Sequence, residues 1–244
     1  MITIKVFESY DEMSAYAAEI VKEVINSTEK PVIGLATGSS PIGLYKKLIE
    51  MNKNKQIDFS QVTSINLDEY VGLSSDHPQS YSYFMNEYLF DHINIDKANT
   101  FVPNGLADDL EQECRLYDQR LRDLGYADIQ ILGIGQNGHI GFNEPSAKLN
   151  TNTNIVNLTP KTIKDNARFF DSIDDVPKQG ITLGLEGIFK AKKIVLVANG
   201  LNKAEVCKSF ADEYIDTQVP ASLLKLHKDI TVCLDKEAAS LIEK

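Results

Sequence analysis

The sequence predicts an α/β fold: an open, mostly parallel, Rossmann-like sheet with helices on both faces. It forms a single domain over residues 1–244, with a mobile flap at about 154–181. Three observations predict this. Strand-like and helix-like stretches alternate along the whole chain. The run Pro31–Ala36 is apolar throughout, as a strand covered on both faces should be. Polar, mostly glycine-containing segments follow several predicted strands at once, which is where open α/β sheets bind ligands.

Ile2–Phe7 reads as the first strand. Ser9 and Glu12 have capping-box spacing and open a helix to about Ser27. After Pro31–Ala36 comes Thr37-Gly38-Ser39-Ser40-Pro41, where Ser40 is placed to cap the next helix and Pro41 suits its first turn. Val62–Leu67 is the third strand and delivers Asp68-Glu69-Tyr70 at its end. A loop with Gly72, Asp76 and Pro78 leads into an aromatic-rich helix from Tyr81 to about His92. Thr100–Pro103 reads as a short strand. Ala107–Gly125 is an amphipathic helix with Gly125 as its stop signal.

The strand Ile129–Ile134 runs into Gly135–Pro145, where Asn137, His139 and Glu144 stand among glycines 133, 135, 138 and 141. Glycines let the backbone turn tightly and admit a ligand close to it. By its local pattern this segment is either a catalytic loop or a glycine-rich turn with polar decoration. Ser146–Asn154 is a polar loop, and Thr159-Pro160 caps a helix carrying Arg168 near its end. Asp171–Pro177 reads as an exposed connection. Polar loops around one short helix, from about Asn154 to Ile181, are the basis for the flap. A short helix at Gly184–Lys190, a strand at Ile194–Ala198 and a helix opened by Lys203 follow. Val219–Leu226 is a turn or short helix, Ile230–Leu234 the last strand and Asp235–Lys244 the last helix.

Composition excludes several classes. The net charge is −10 with no basic cluster, which speaks against nucleic acid and anionic membranes as partners. No apolar run approaches the roughly 18 residues needed to span a bilayer. MITIKVFESY enters a strand pattern without a signal peptide, so a cytoplasmic protein is expected. The three cysteines, at 114, 207 and 233, are far apart and odd in number, which reads as core residues without a disulfide framework. The four histidines show no metal-binding spacing, so no protein-built metal site is expected.

Thr37–Ser40, Asp68–Tyr70, Gly135–Glu144 and Asn199–Lys203 would all lie on one rim of one sheet. The first is a strand–turn–helix unit able to cradle a phosphate ester, and it lacks the lysine of a nucleotide triphosphatase loop. Alone, it reads equally as a capped helix start with no ligand. Gly133-x-Gly135-x-x-Gly138 matches a dinucleotide spacing, but it does not clearly open a helix and the match is accidental. The rim carries two cations, Arg168 and Lys203, two carboxylates, Asp68 and Glu144, and the imidazole of His139. Acid–base chemistry on a phosphorylated small molecule fits this set.

LATGSSPIGLY, NLDEYVGL followed by HPQSY, and above all GIGQNGHIGFNEP resemble the glucosamine-6-phosphate deaminase family, and ARFFDS and NGLNKA fit it too. The similarity runs from about Val32 to Leu234. The related 6-phosphogluconolactonases share the phosphate turn and lack the NEP ending and the DEY segment.

The resemblance implies conversion of glucosamine 6-phosphate and water to fructose 6-phosphate and ammonia, without cofactor or metal, and classes the protein as a hydrolase acting on an amino sugar phosphate. It implies that Asp68 takes the proton from C2 and returns one at C1, and that His139 drives ring opening, oriented and tuned by Asn137 and Glu144. Thr37, Gly38, Ser39, Ser40, Arg168 and Lys203 would hold the substrate's phosphate end. Some longer members have aspartate where this chain has Asn137, which puts a strict aspartate–histidine charge pair in question. Those members are hexamers activated by N-acetylglucosamine 6-phosphate through basic residues after the NEP segment. Here Asn152–Val156 has no cation, so a monomer or low-order oligomer without that activation is expected. A lactonase-like hydrolase and a non-catalytic sugar-phosphate sensor are the alternatives.

Overall fold

The computed structural model describes residues 2–167, 170 and 172–242. In chain order its elements are β1 (Ile2–Phe7), α1 (Tyr10–Ser27), β2 (Val32–Leu35), α2 (Ile42–Lys53), β3 (Thr63–Asn66), β4 (Asp68–Tyr70), α3 (Tyr81–Tyr88), β5 (Thr100–Phe101) and α4 (Leu110–Asp123). Then come β6 (Ile129–Leu132), β7 (Asn154–Asn157), α5 (Pro160–Asn166), β8 (Gln179–Thr182), α6 (Leu185–Phe189), β9 (Lys193–Ala198), α7 (Ala204–Lys208) and β10 (Ile230–Asp235). Seven strands form one sheet in the order β1-β10-β9-β6-β2-β3-β5, with every neighbouring pair parallel.

Alternating side chains of these strands feed two apolar layers. Val32 of β2 and Ile194, Leu196 and Ala198 of β9 face one layer, while Ile33, Val195 and Val197 face the other. The second layer is closed by Met13 and Val21 of α1, Leu44 and Leu48 of α2 and Met85 of α3. The first is closed by Tyr117 and Leu121 of α4, Ile188 of α6 and Cys207 of α7. Each large apolar side chain buried this way contributes about 1.5–3 kcal/mol. The three cysteines are free and buried, as expected.

The chain winds outward in opposite directions from the β2–β6 pair: β3 and β5 lie beyond β2, and β9 and β10 beyond β6. The segments that follow β9, β6, β2 and β3 therefore emerge from four adjacent strands, on either side of the point where the winding reverses. In this architecture that point is the ligand crevice.

Local chemistry sets the element ends. Ser9 Oγ accepts from the N–H of Glu12 at 3.2 Å and starts α1. The Glu12 carboxylate returns to the N–H of Glu8 at 3.2 Å, so the reciprocal bond falls one residue early. α4 begins at Leu110, later than predicted, because Asp109 caps it by accepting from the N–H of Gln112 at 2.9 Å.

Three expectations are corrected. Ser40 does not cap α2: Pro41 holds that position without a side-chain bond, and the Ser40 hydroxyl donates to Asn199 Oδ1 at 2.8 Å. The region 154–181 is not loops around one helix. Its two ends are β7 and β8, which join β4 in a second, antiparallel sheet of order β4-β8-β7. Finally, no helix follows β10 among the described residues; 236–242 are turns. The Asp235 carboxylate accepts from the N–H of Ala238 at 2.8 Å and from the N–H of Gly200 at 3.0 Å, so it serves two turns instead of opening a helix.

Candidate active site

The rim encloses a cleft of about 480 Å³. Thr37, Gly38, Ser39, Ser40, Asp68, His139 and Lys203 all line it. Asn137 and Glu144 stand behind His139, and Arg168 lies outside the described residues.

The turn after β2 has Gly38 at φ 101°, a left-handed value that favours glycine. Among the described residues, no group accepts from the backbone N–H groups of Thr37, Gly38, Ser39 or Ser40. With α2 starting just beyond, these donors and the helix dipole form an anion cradle. Its base is rigid: Tyr45 Oη donates to Ala36 O at 2.6 Å and accepts from the Ala36 N–H at 3.2 Å. Its far side is braced through Ser40 and Asn199, and Gly200 is in turn held by Asp235. Lys203, at the start of α7, donates from Nζ to Ile134 O at 2.7 Å, which ties it to the glycine-rich segment while it faces the cleft.

Asp68 begins β4 and is 5% exposed. Among the described residues nothing donates a hydrogen bond to its carboxylate. Burial, reinforced by the neighbouring Glu69 charge, lifts its pKa well above the usual carboxylate range. Glu69 points away into structure: its carboxylate accepts from the N–H groups of Tyr70 (2.8 Å), Tyr81 (2.9 Å) and Ser82 (2.9 Å) and anchors the start of α3. One carboxylate of this pair is thus fully bonded and the other is held bare, the state suited to a base.

The glycine-rich segment is stitched to the second sheet. The N–H of Phe142 donates to Thr182 Oγ1 at 3.1 Å, and Asn143 Nδ2 donates to Leu183 O at 2.8 Å and Ile140 O at 2.9 Å. This brings Gly141 against β4: a Cβ there would stand 3.3 Å from Asp68 Oδ2 and 2.9 Å from Thr182 Oγ1. Likewise a side chain on Gly135 would collide with the His139 ring. These two glycines are needed for space.

Behind the imidazole runs a relay. Asn137 Nδ2 donates to Glu144 Oε2 at 2.6 Å, and Asn137 Oδ1 faces His139 Nδ1 at 2.7 Å. Glu144 also accepts from the Thr162 hydroxyl of α5. Burial works to raise the Glu144 pKa, but His139, Thr162 and Asn137 outweigh it and hold the carboxyl at about 2. An ionised Glu144 only accepts, so the Asn137 amide must turn its NH₂ toward it and its oxygen toward His139. Nδ1 of His139 then carries the hydrogen, and in the neutral ring Nε2 holds the lone pair. The negative charge in question for Asn137 is supplied by Glu144, whose Oε2 lies 3.6 Å from His139 Nδ1.

Sequence reasoning brought Asp68, His139, Lys203 and the phosphate turn to one cleft, with Asn137 and Glu144 adjoining. It missed Thr162, Asn143 and Tyr10, the last of which contacts the Ser39 and Ser40 carbonyls behind the cleft. Asn143 lay in the quoted NEP motif, and Thr162 stands at N3 after the Thr159 cap, so both were within reach. Tyr10 had no motif signal.

An α/β sheet with an anion turn, a bare buried carboxylate and a backed imidazole at its switch point defines an acid–base protein for phosphorylated small molecules. The chain belongs to the family described as glucosamine-6-phosphate isomerases/6-phosphogluconolactonase, whose model matches residues 7–233. It is 56% identical over 238 residues to the glucosamine-6-phosphate deaminase of Clostridium perfringens strain SM101, covering 98% of each chain. To that of Thermoanaerobacter sp. strain X514 it is 58% identical over 234 residues, covering 96% of this chain and 92% of the relative. A solved monomeric glucosamine-6-phosphate deaminase superposes with a TM-score of 0.95 at 46% identity, over 98% of this chain and 99% of its own. The 6-phosphogluconolactonase of Trypanosoma brucei, at 18% identity and a TM-score of 0.78, shares the fold.

These matches overturn the hydrolase class. The family takes in isomerases as well as lactonases, the relatives of 46–58% identity are named deaminases, and the site carries proton-transfer groups suited to aldose–ketose isomerisation. Among the described residues no helix is long and apolar enough to cross a membrane.

Proposed function

We propose that this protein is a glucosamine-6-phosphate deaminase, converting glucosamine 6-phosphate to fructose 6-phosphate and ammonia by isomerisation and deamination. The observation that carries this reading is the bare Asp68 carboxylate sharing one cleft with His139 and the anion turn. The phosphate sits on the N–H groups of Thr37–Ser40 with Lys203 and Arg168, each charge-assisted bond contributing about 1.5–3 kcal/mol. That remote grip places the sugar carbons against Asp68.

His139 Nε2 takes the proton of the C1 hydroxyl and delivers it to the ring oxygen as the C1–O5 bond breaks. The imidazolium formed in passing is balanced by Glu144 through Asn137. Asp68 removes the proton from C2 of the open aldose while the substrate's ammonium group passes a proton to the C1 oxygen, giving an enolamine. Asp68 then returns a proton at C1, leaving an iminium at C2 that water adds to. Ammonia leaves as C2 becomes the ketone, whose oxygen comes from water. A desolvated carboxylate of raised pKa is a stronger base than one in water, which is what a carbon acid requires.

The segment at about 154–181 acts as a flap. The contacts of Thr162 with Glu144 and of Phe170 with Tyr70, ring centroids 6.2 Å apart, support this for the part between β7 and β8. The protein works in the cytoplasm as a monomer or low-order oligomer, and N-acetylglucosamine 6-phosphate does not activate it. A substrate titration with and without that sugar phosphate tests this, and a large activation contradicts it. The reading as a whole is tested by supplying the purified protein with glucosamine 6-phosphate and, separately, 6-phosphogluconolactone. Ammonia from the first and no accelerated opening of the second is expected; the reverse overturns it.

A further inference from the structure

Tyr10, the first residue of α1, sits behind the phosphate turn and does not line the cleft. Its single hydroxyl proton is shared between Ser39 O and Ser40 O, each at 3.0 Å, and its oxygen accepts from the N–H of Gly43 at 2.6 Å. These bonds bridge 29 to 33 residues of chain. α2 has no side-chain cap of its own, so the Tyr10 oxygen takes one of its unpaired first-turn N–H groups from another element. Gly43 makes the approach possible: a Cβ there would stand 2.8 Å from Tyr10 Cζ and would collide with Ser14 Oγ. A glycine inside a helix costs about 1 kcal/mol relative to alanine, and here it admits the tyrosine.

The gripped carbonyls matter because a trans peptide unit points its C=O and its N–H in opposite directions. Holding Ser39 O back toward Tyr10 sends the Ser40 N–H away from Tyr10, to the side on which Ser39 and Ser40 line the cleft. We propose that Tyr10 is a positioning residue for phosphate recognition, fixing the Ser39–Ser40 peptide plane so that the Ser40 N–H is offered to the substrate's phosphate. Burial raises the pKa of the hydroxyl, so it remains a donor at neutral pH. This inference rests on the sugar-phosphate reading of the site, and it assigns part of that site's affinity to a residue outside the cleft.

The test is Tyr10→Phe, which keeps the ring and removes the hydroxyl. Steady-state assays should show KM for glucosamine 6-phosphate raised about 5–20-fold with kcat changed less than about 2-fold. Calorimetric titrations with inorganic phosphate and with fructose 6-phosphate should show affinity falling by a similar factor. Loss of general structural integrity would lower kcat or the active fraction and would not produce this split. Unchanged KM and affinities in Y10F, or a lower kcat at unchanged KM, overturn the proposal. Should Y10F not yield folded protein, Tyr10→Leu, which also removes the hydroxyl, carries the same test, with a similar rise in KM expected and a wild-type KM overturning the proposal. A wild-type protein that binds neither ligand overturns the sugar-phosphate reading itself, an outcome distinct from equal binding by wild type and Y10F.

Discussion

Replacing Glu144 with glutamine isolates the charge at the back of the relay. Glutamine keeps an oxygen for Asn137 Nδ2 and an amide for the Thr162 hydroxyl, so the geometry has no reason to collapse. What is lost is the opposite charge 3.6 Å from His139 Nδ1 at the moment the ring holds two protons. Coulomb's law puts that loss at about 1 kcal/mol in the dielectric of bulk water and about 5 kcal/mol at an effective dielectric of about 20. Glu144 is largely withdrawn from solvent, with a side chain 12% exposed, so the answer lies between these limits. A fall in kcat/KM of about 100-fold is expected. The assay is coupled ammonia and fructose 6-phosphate production at saturating and limiting substrate. Binding of fructose 6-phosphate, measured by calorimetry, should stay within about 3-fold, because Glu144 is remote from the phosphate turn. A kcat/KM for E144Q within about 3-fold of wild type would show that Asn137 alone supports the imidazole, and the relay account would fail.

The same carboxylate sets part of the acid stability. Its folded pKa of about 2 lies below the ordinary 4.5, so its contribution is present above pH 4.5 and is lost as pH falls toward 2. That gap corresponds to about 3 kcal/mol. Asp68 has the opposite sign: its ionised form costs stability at neutral pH, and the cost disappears on acidification. The difference between wild type and E144Q in urea-unfolding free energy should therefore shrink between pH 5 and pH 3; a constant difference contradicts the assignment. Gly141→Ala adds a Cβ 3.3 Å from Asp68 Oδ2 at a backbone φ of 58°. It should lower kcat at least 10-fold with little change in phosphate affinity, and a wild-type kcat would show that the carboxylate has room to move.

Much of this was readable in the sequence, for identifiable reasons. The inner strands β2, β6 and β9 are buried on both faces, so their apolar stretches announced them, and the strand-end rule then gathered the site. The second sheet was not readable. β7 is Asn154-Ile155-Val156-Asn157, an edge strand with polar ends, and β4 is only three residues long. Both are fixed by pairing with β8, a tertiary effect that no local window carries. Ser40 looked like a cap because serine before proline usually is one. Asn199, 159 residues away, competes for its hydroxyl, and Tyr10 takes over the capping of α2. Asp235 misled in the same way, its carboxylate being shared with Gly200. The relay order from Glu144 through Asn137 to His139 needed the contacts made in the fold, since spacing alone permits either carboxamide orientation.

The most direct measurement uses Asp68→Asn on glucosamine 6-phosphate in deuterated water. Wild type should release equimolar ammonia and fructose 6-phosphate carrying solvent deuterium at C1. D68N should release neither product at a detectable rate, bind fructose 6-phosphate as wild type does, and unfold at a higher temperature because a penalised charge is gone. Ammonia released by D68N at a rate near wild type would contradict the account at its centre.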